Sequence, residues 1–307
     1  MKQLLTPKGM VVYSVDNHTT IRFNELETRK LYGVKDMPRD YPAPEVVHLE
    51  ISAECNLKCP YCYVGHKKRA TLSTEKWLLT IRQLAQAGVF QLTFGGGEPT
   101  MHPDLGLLAR AVKAQGLNLT MTTNGTLLDQ TSPDILRLFD QINVSFHQDT
   151  PNPVQRMLHG LEVLQSLEIP RGINYSLSRS NVNWAAPVAL AAQATKASLL
   201  LMTYKPVIGD KGNQIPPQEV FKMGKILGLH YKINVAVDGL TCNQCLVNQR
   251  FCDIDCEGNV LPCSFQRKTL GNVSDRGFKD IWTNREYKGG LICDYTLDAK
   301  ETVNVPV

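Results

Sequence analysis

The chain has no run of about eighteen or more uninterrupted apolar residues, so nothing in it reads as a membrane span. It carries little net charge: 33 basic against 29 acidic side chains over 307 residues leave a formal +4. That is too dilute for the dense basic face that nonspecific phosphate binding needs, and no dedicated nucleic-acid binding is expected. Nothing in the opening MKQLLTPKGMVVYSVDNHTT reads as a secretion signal, since Pro7, Lys8 and Gly9 interrupt the apolar residues. Internal repeats and low-complexity tracts are lacking as well. With 43% hydrophobic and 20% charged residues the chain is too apolar to stay disordered. The expectation is a soluble, cytoplasmic globular protein, long enough for two ordinary domains or one large barrel with an appendage.

What the sequence does have is cysteine, nine of them. In a reducing compartment an odd set of this size reads as metal ligands or reactive thiols rather than disulfides. Their placement follows from the organisation of the chain. Residues 1–46 offer an apolar alternation in MVVYSV, a turn at Asp16 and Asn17, a strand-like TTIRF and a short helix ELETRKLYG, which together predict a hairpin with a small cap. MPRDYPAP then forms an extended linker.

From residue 47 to about 210 short apolar segments alternate with amphipathic ones. VVHLEIS, FQLTFGG, LNLTMTTN, QINVSFH, GINYSLS and SLLLMTY read as strands; STEKWLLTIRQLAQAG, DLGLLARAVKAQG, PDILRLF, PVQRMLHGLEVLQSL and WAAPVALAAQATKA read as the helices between them. Such alternation predicts parallel strands with crossover helices, an α/β partial (β/α)6 TIM-like barrel rather than a closed eightfold one. Residues 211–307 change character: a loop with Gly212, Pro216 and Pro217, a helix through EVFKMGKILG, a strand at HYKINVAV, then a small cysteine-rich α+β extension.

Cys55, Cys59 and Cys62 stand after the first barrel strand, in AECNLKCPYCYV. Three thiolates this close can grip one face of an iron–sulfur cube and leave its fourth iron without a protein ligand. Structural zinc, the competing reading, asks for four ligands, and the nearest downstream candidate is His66. One strand later comes GGGEP, whose Gly95, Gly96 and Gly97 permit a close approach of backbone to a ligand.

Three cysteines with three and two residues between them, an aromatic Tyr61 before the last, and GGGEP at the next strand end together resemble the radical SAM superfamily. The resemblance implies an enzyme in which a 4Fe-4S cluster on Cys55, Cys59 and Cys62 binds S-adenosyl-L-methionine and cleaves it reductively to a 5'-deoxyadenosyl radical that abstracts hydrogen from substrate. It also implies cofactor contacts from Tyr61, from Gly96, Gly97, Glu98 and Pro99, from Thr123 and Asn124 in TMTTNG, from Ser145 in NVSFH, and from Ser178 and Arg179 in SLSRSN. Many relatives place aspartate two residues after the strand-end serine, where this chain has His147. His102 and the run HKKR at 66–69 read as a structural residue and a solvated loop.

Six of the nine cysteines, Cys242, Cys245, Cys252, Cys256, Cys263 and Cys293, fall in the tail. CEGNVLPCSF, with twelve residues between Cys245 and Gly258 and Cys263 just beyond, resembles the SPASM and twitch extensions that carry auxiliary iron–sulfur clusters. Only Cys293 follows Trp282, so one auxiliary cluster is the expectation; two clusters of three ligands each, or structural zinc, are the alternatives. Within this resemblance the leading expectation is a maturase acting on a peptide or protein side chain, served by an electron donor such as flavodoxin or ferredoxin. A twitch-type enzyme acting on a small molecule is the alternative, and a noncatalytic iron–sulfur or zinc sensor is disfavoured by GGGEP.

Overall fold

The computed structural model describes residues 1–14, 19–65, 69–205, 211–238 and 248–286. The turn at Asp16 and Asn17, His66 to Lys68 of the basic run, and Cys242, Cys245 and Cys293 lie outside the described residues.

The N-terminal residues build a three-stranded antiparallel sheet, β1 (Lys2–Thr6), β2 (Gly9–Tyr13) and β3 (Thr20–Arg22), followed by helix α1 (Glu25–Tyr32). The expected hairpin thus gains a preceding strand. Asn24 caps α1 by accepting from the Glu27 amide while the Glu27 carboxylate accepts from the Asn24 amide, a reciprocal arrangement that satisfies two otherwise orphaned donors. Leu4, Val11 and Tyr13 pack against Ala43 and Phe90, with the Tyr13 and Phe90 rings stacked at 5.4 Å, so the small sheet sits beneath the large one.

The large sheet begins with β4 (Val46–Ser52) and continues as α2 (Thr74–Ala87), β5 (Gln91–Gly96), α3 (Leu105–Ala114), β6 (Asn118–Thr123), α4 (Pro133–Leu136), β7 (Gln141–Ser145), α5 (Pro153–Ser166), β8 (Arg171–Leu177), α6 (Ala185–Thr195) and β9 (Ser198–Thr203). Each of these strands pairs in parallel with the next, as the alternating pattern predicts. Helix α7 (Pro217–Tyr231) and β10 (Val235–Val237) extend the same sheet past β9. The helix runs through His230 and Tyr231, residues expected in a strand, and ends where Lys232 turns left-handed at φ 53°. On the other side β11 (Phe251–Ile254) pairs in parallel with β4, followed by antiparallel β12 (Asn259–Leu261) and β13 (Gly271–Asn272) and helix α8 (Phe278–Thr283). The ten-stranded sheet runs β10-β9-β8-β7-β6-β5-β4-β11-β12-β13 and is open, the partial barrel that the alternation predicts.

Strand period decides what faces where. In β4, Val47, Leu49 and Ile51 are fully buried in the core with Trp77, Ile81 and Leu84 of α2, while His48, Glu50 and Ser52 turn to the opposite face. The other strands repeat this: Leu92 and Phe94, Leu119 and Met121, Ile142 and Val144 pack under the helices. Gln91, Thr93, Thr120, Asn143 and Asn174 instead line the inner face and bond to one another or to neighbours across the strands. The inner face is therefore a polar trough whose upper rim is formed by the carboxyl ends of the strands.

Candidate functional site

The trough opens into a cavity of about 720 Å³. Of the residues singled out from sequence, Cys55, Cys59, Cys62, Tyr61, Gly96, Gly97, Glu98, Thr123, Asn124 and Ser145 line it. Chain segments far apart in sequence meet here because parallel strands bring their carboxyl ends to one rim.

The loop carrying the cysteines is pinned to β5 by backbone. Gly97 N donates to Ser52 O at 2.8 Å and Glu98 N to Glu54 O at 2.7 Å. A β-carbon at Gly97 would lie 2.0 Å from Glu54 O, one at Gly96 2.4 Å from Ser52 O, and one at Gly95 2.2 Å from His48 Nε2. The glycine run is thus a slot for the cysteine loop and for His48, a packing demand that the sequence pattern alone does not disclose. Glu98 is nearly inaccessible, and its carboxylate accepts from the Thr100 amide and hydroxyl, the Thr123 hydroxyl and the Asn124 amide. It ties the end of β5 to the end of β6. Asn124 in turn donates to Asn56 Oδ1 at 2.8 Å and points the same amide at Cys55 Sγ, 3.9 Å away.

Burial and the neighbouring thiols of Cys62 and Cys55 push Cys59 up to about 12, and burial raises Cys55. Three thiolates facing one cavity repel one another, so deprotonating them calls for a cationic partner among them. Among the described residues no three His, Cys, Asp or Glu side chains converge on a single ion. A cube offers a separate iron to each cysteine, whereas tetrahedral zinc requires all its ligands around one atom. The donor set fits a cluster.

Pro99 begins a 3₁₀ turn behind the cavity wall. Ser178 and Arg179 do not reach the cavity: the Ser178 amide donates to Asn181 Oδ1, its hydroxyl pairs with Ser180, and Arg179 Nε donates to Gln214 O at 3.1 Å. The chain turns away after β8, and the 213–214 segment takes up the arginine. His147 stands in the rim, its Nδ1 3.1 Å from Tyr61 Oη and 3.5 Å from Cys59 Sγ. Its pKa is lowered to about 4 by burial, with Arg156 adding to the effect. His102 accepts from the Asp104 amide and is structural.

Residues that the sequence did not single out form the far wall: His48, Tyr63, Met202, Tyr204, Lys205, Asp238 and Phe265. Lys205 pairs with Asp238 at 2.5 Å and lies 4.8 Å from the centre of the Phe265 ring. Behind this wall is a buried charge cluster. Arg267 bridges to both oxygens of Glu50, Arg69 reaches Glu50, Asp255 and Val64 O, and His48 Nδ1 lies 3.1 Å from Asp253. Arg69 is therefore no part of a solvated loop. Burial opposes protonation of His48, but Asp253 and Glu50 outweigh it and hold its pKa above the usual value. Charged residues at alternate positions of VVHLEIS were the available signal.

In the tail, Cys263 lines the cavity and accepts from the Gln266 amide at 3.3 Å. Cys256 lies buried close to Arg69, its thiol pushed up to about 11 by burial, which Arg69 opposes. Cys252 faces the other way, into the apolar core.

Residues 49–172 match the Radical SAM superfamily and residues 245–301 match SPASM, an iron–sulfur cluster-binding domain. The chain is 27% identical over 294 residues to an AdoMet-dependent heme synthase of Methanosarcina barkeri, covering 80% of this chain and 83% of that protein. It is 26% identical over 276 residues to a PqqA peptide cyclase of Gluconobacter oxydans, covering 78% and 77%. In fold it resembles Streptococcus suis SuiB bound to its precursor peptide SuiA, with TM-score 0.74, 14% identity and coverage of 94% and 88%. It also resembles anSMEcpe bound to AdoMet and a peptide, with TM-score 0.61, 18% identity and coverage of 82% and 81%.

Proposed function

Because the chain is a radical SAM enzyme with a SPASM extension, binding a 4Fe-4S cluster, S-adenosyl-L-methionine and auxiliary iron–sulfur, we propose that it modifies a side chain of a peptide or protein. Bound in the cavity, the cluster and S-adenosyl-L-methionine supply a 5'-deoxyadenosyl radical, which removes a hydrogen atom from an unactivated C–H bond. Cys55, Cys59 and Cys62 hold that cluster. Backbone at Gly96 and Gly97, with Tyr61, Thr123, Asn124 and Ser145, lines the cavity and would hold the methionine and nucleoside, while Glu98 and Asn124 keep the cysteine loop in place. Water is excluded from the inner end by the apolar and aromatic surface of Met202, Tyr204, Tyr63 and Phe265. In the tail we assign cluster ligation to Cys263 and Cys256, together with Cys242, Cys245 and Cys293; Cys252 we assign to the core.

The observation that carries the reading is the convergence of the cysteine triad, the glycine slot and the tail's Cys263 on one cavity. Two things favour a peptide. The relatives include proteins named for peptide cyclisation or seen with a peptide bound. And β3 is an exposed edge strand. Phe23 N donates to Met10 O and Ser14 N to Thr19 O, so by antiparallel alternation Thr20 and Arg22 turn their amides outward. An extended peptide can add there as a fourth strand. The similarity to a heme synthase favours a second reading, a small-molecule substrate in cofactor biosynthesis. We take flavodoxin or ferredoxin as the electron donor and the cytoplasm as the compartment, where thiols remain reduced.

The test is anaerobic reconstitution, reduction and addition of S-adenosyl-L-methionine. Release of 5'-deoxyadenosine and methionine is expected; a fully loaded triad cluster that yields neither sinks the reading. Small peptides encoded beside the gene, offered as substrates, should lose hydrogen by mass spectrometry, whereas turnover of a tetrapyrrole or another small molecule alone would select the second reading.

A further inference from the structure

His147 leaves β7 on the rim of the cavity, and the groups around its ring assign it a task. Its Nδ1 faces two atoms, Tyr61 Oη at 3.1 Å and Cys59 Sγ at 3.5 Å. The ring is held in this pose. It lies nearly parallel to that of Tyr61, with centroids 6.1 Å apart and planes 18° apart. Its backbone carbonyl accepts from the Thr150 hydroxyl at 2.8 Å, and the preceding Phe146 amide donates to Asn174 O.

A cysteine that ligates iron is a thiolate, without a proton and able only to accept. A neutral imidazole has one N–H to give, and the atom facing the sulfur decides which nitrogen carries it. The sulfur therefore selects the Nδ1–H tautomer, leaving the Tyr61 hydroxyl free to turn its own proton elsewhere. Reduction of a cluster adds negative charge that is shared with its ligand sulfurs, and a donor aimed at one of them stabilises the reduced form more than the oxidised form.

We propose that His147 raises the reduction potential of the triad cluster by donating from Nδ1 to Cys59 Sγ, easing electron entry before any substrate chemistry begins. The proposal rests on the cluster reading above. Acting through Cys59, His147 is a positioning residue and no participant in hydrogen abstraction.

The test is a redox titration of the reduced-cluster EPR signal, without S-adenosyl-L-methionine, in wild type, His147→Phe and Tyr61→Phe. In His147→Phe the ratio of reduced to oxidised triad cluster at a fixed potential is expected to fall about tenfold, about 59 mV for a one-electron couple. Tyr61→Phe is expected to keep or raise the potential, since the donor is then left to the sulfur alone. An unchanged potential in a cluster-loaded His147→Phe overturns the proposal, as does a Tyr61→Phe that falls by the same amount. Should His147→Phe fail to assemble its cluster, pulsed EPR of wild type labelled with ¹⁵N-histidine decides. A histidine nitrogen coupling that is retained when Cys263→Ala removes tail iron, and so belongs to the triad cluster, supports the bond, and its absence overturns it. If wild type assembles no cluster at the triad, the reading of function fails instead, and the two failures are told apart.

Discussion

A methyl group is enough to test the glycine slot. The β-carbon of Gly97→Ala would stand 2.0 Å from a backbone carbonyl that no rotamer can move, so the cysteine loop itself has to shift. The expected outcome is a folded protein, judged by circular dichroism, whose cofactor cleavage falls by about a hundredfold or more, a loss of the size that small misplacements at a reacting centre cause. His48 gives a pH signature. Its pKa is raised in the folded protein, so the stabilisation from its pairing with Asp253 is fully present below the unfolded value of about 6.5 and is lost as pH rises through the higher folded value. The difference in unfolding midpoint between wild type and His48→Gln should therefore shrink from acidic toward alkaline pH; a difference that widens contradicts the assignment.

At the level of elements, the joint between β4 and β11 is where the tail becomes part of the barrel. Val46 to Leu49 pair with Phe251 to Ile254, and Glu50 sits at the centre of the charges that lie behind, bound by Arg267 and Arg69. Removing its charge leaves two guanidinium groups short of their partner, since the remaining carboxylates, Asp253 and Asp255, already pair with His48, Arg69 and Arg267. Glu50→Gln is expected to destabilise by about 3 kcal/mol, the scale for breaking a buried ion pair, and chemical denaturation would measure it. The same joint ties the two cysteine groups together: Arg69 bonds Val64 O, two residues past Cys62, and Arg267 bonds Ser264 O, one residue past Cys263. Triad loop and tail are thereby fixed to one carboxylate.

For the whole molecule the two cysteine groups should separate cleanly by mutation. Cys59→Ala is expected to abolish S-adenosyl-L-methionine cleavage while tail iron stays, and Cys263→Ala to lower the iron content while some uncoupled cleavage persists; iron and 5'-deoxyadenosine assays read both. The N-terminal sheet offers an independent handle. Thr20→Pro removes an outward amide from β3 without touching the bonds to β2, and it should weaken binding of a peptide substrate by about 1 kcal/mol while leaving basal cofactor cleavage intact. Equal affinities by calorimetry would place the peptide elsewhere.

Local spacing alone determined the triad Cys55, Cys59 and Cys62, the glycine-rich strand end and the parallel alternation from β4 to β9, because thiol spacing, turn-forming glycine and hydrophobic period are properties of short stretches. The far wall left only a faint trace in the sequence, the charged residues at alternate positions of VVHLEIS. His48 and Asp253 are 205 residues apart, Glu50 and Arg267 are 217 apart, and Lys205 meets Asp238 only because β9 and β10 run side by side. No short stretch of the chain discloses that β11 adds to the outer side of β4. The tertiary structure decided it, by bringing Arg69, Arg267 and His48 to the buried carboxylates and by turning alternate residues of each strand into one polar trough.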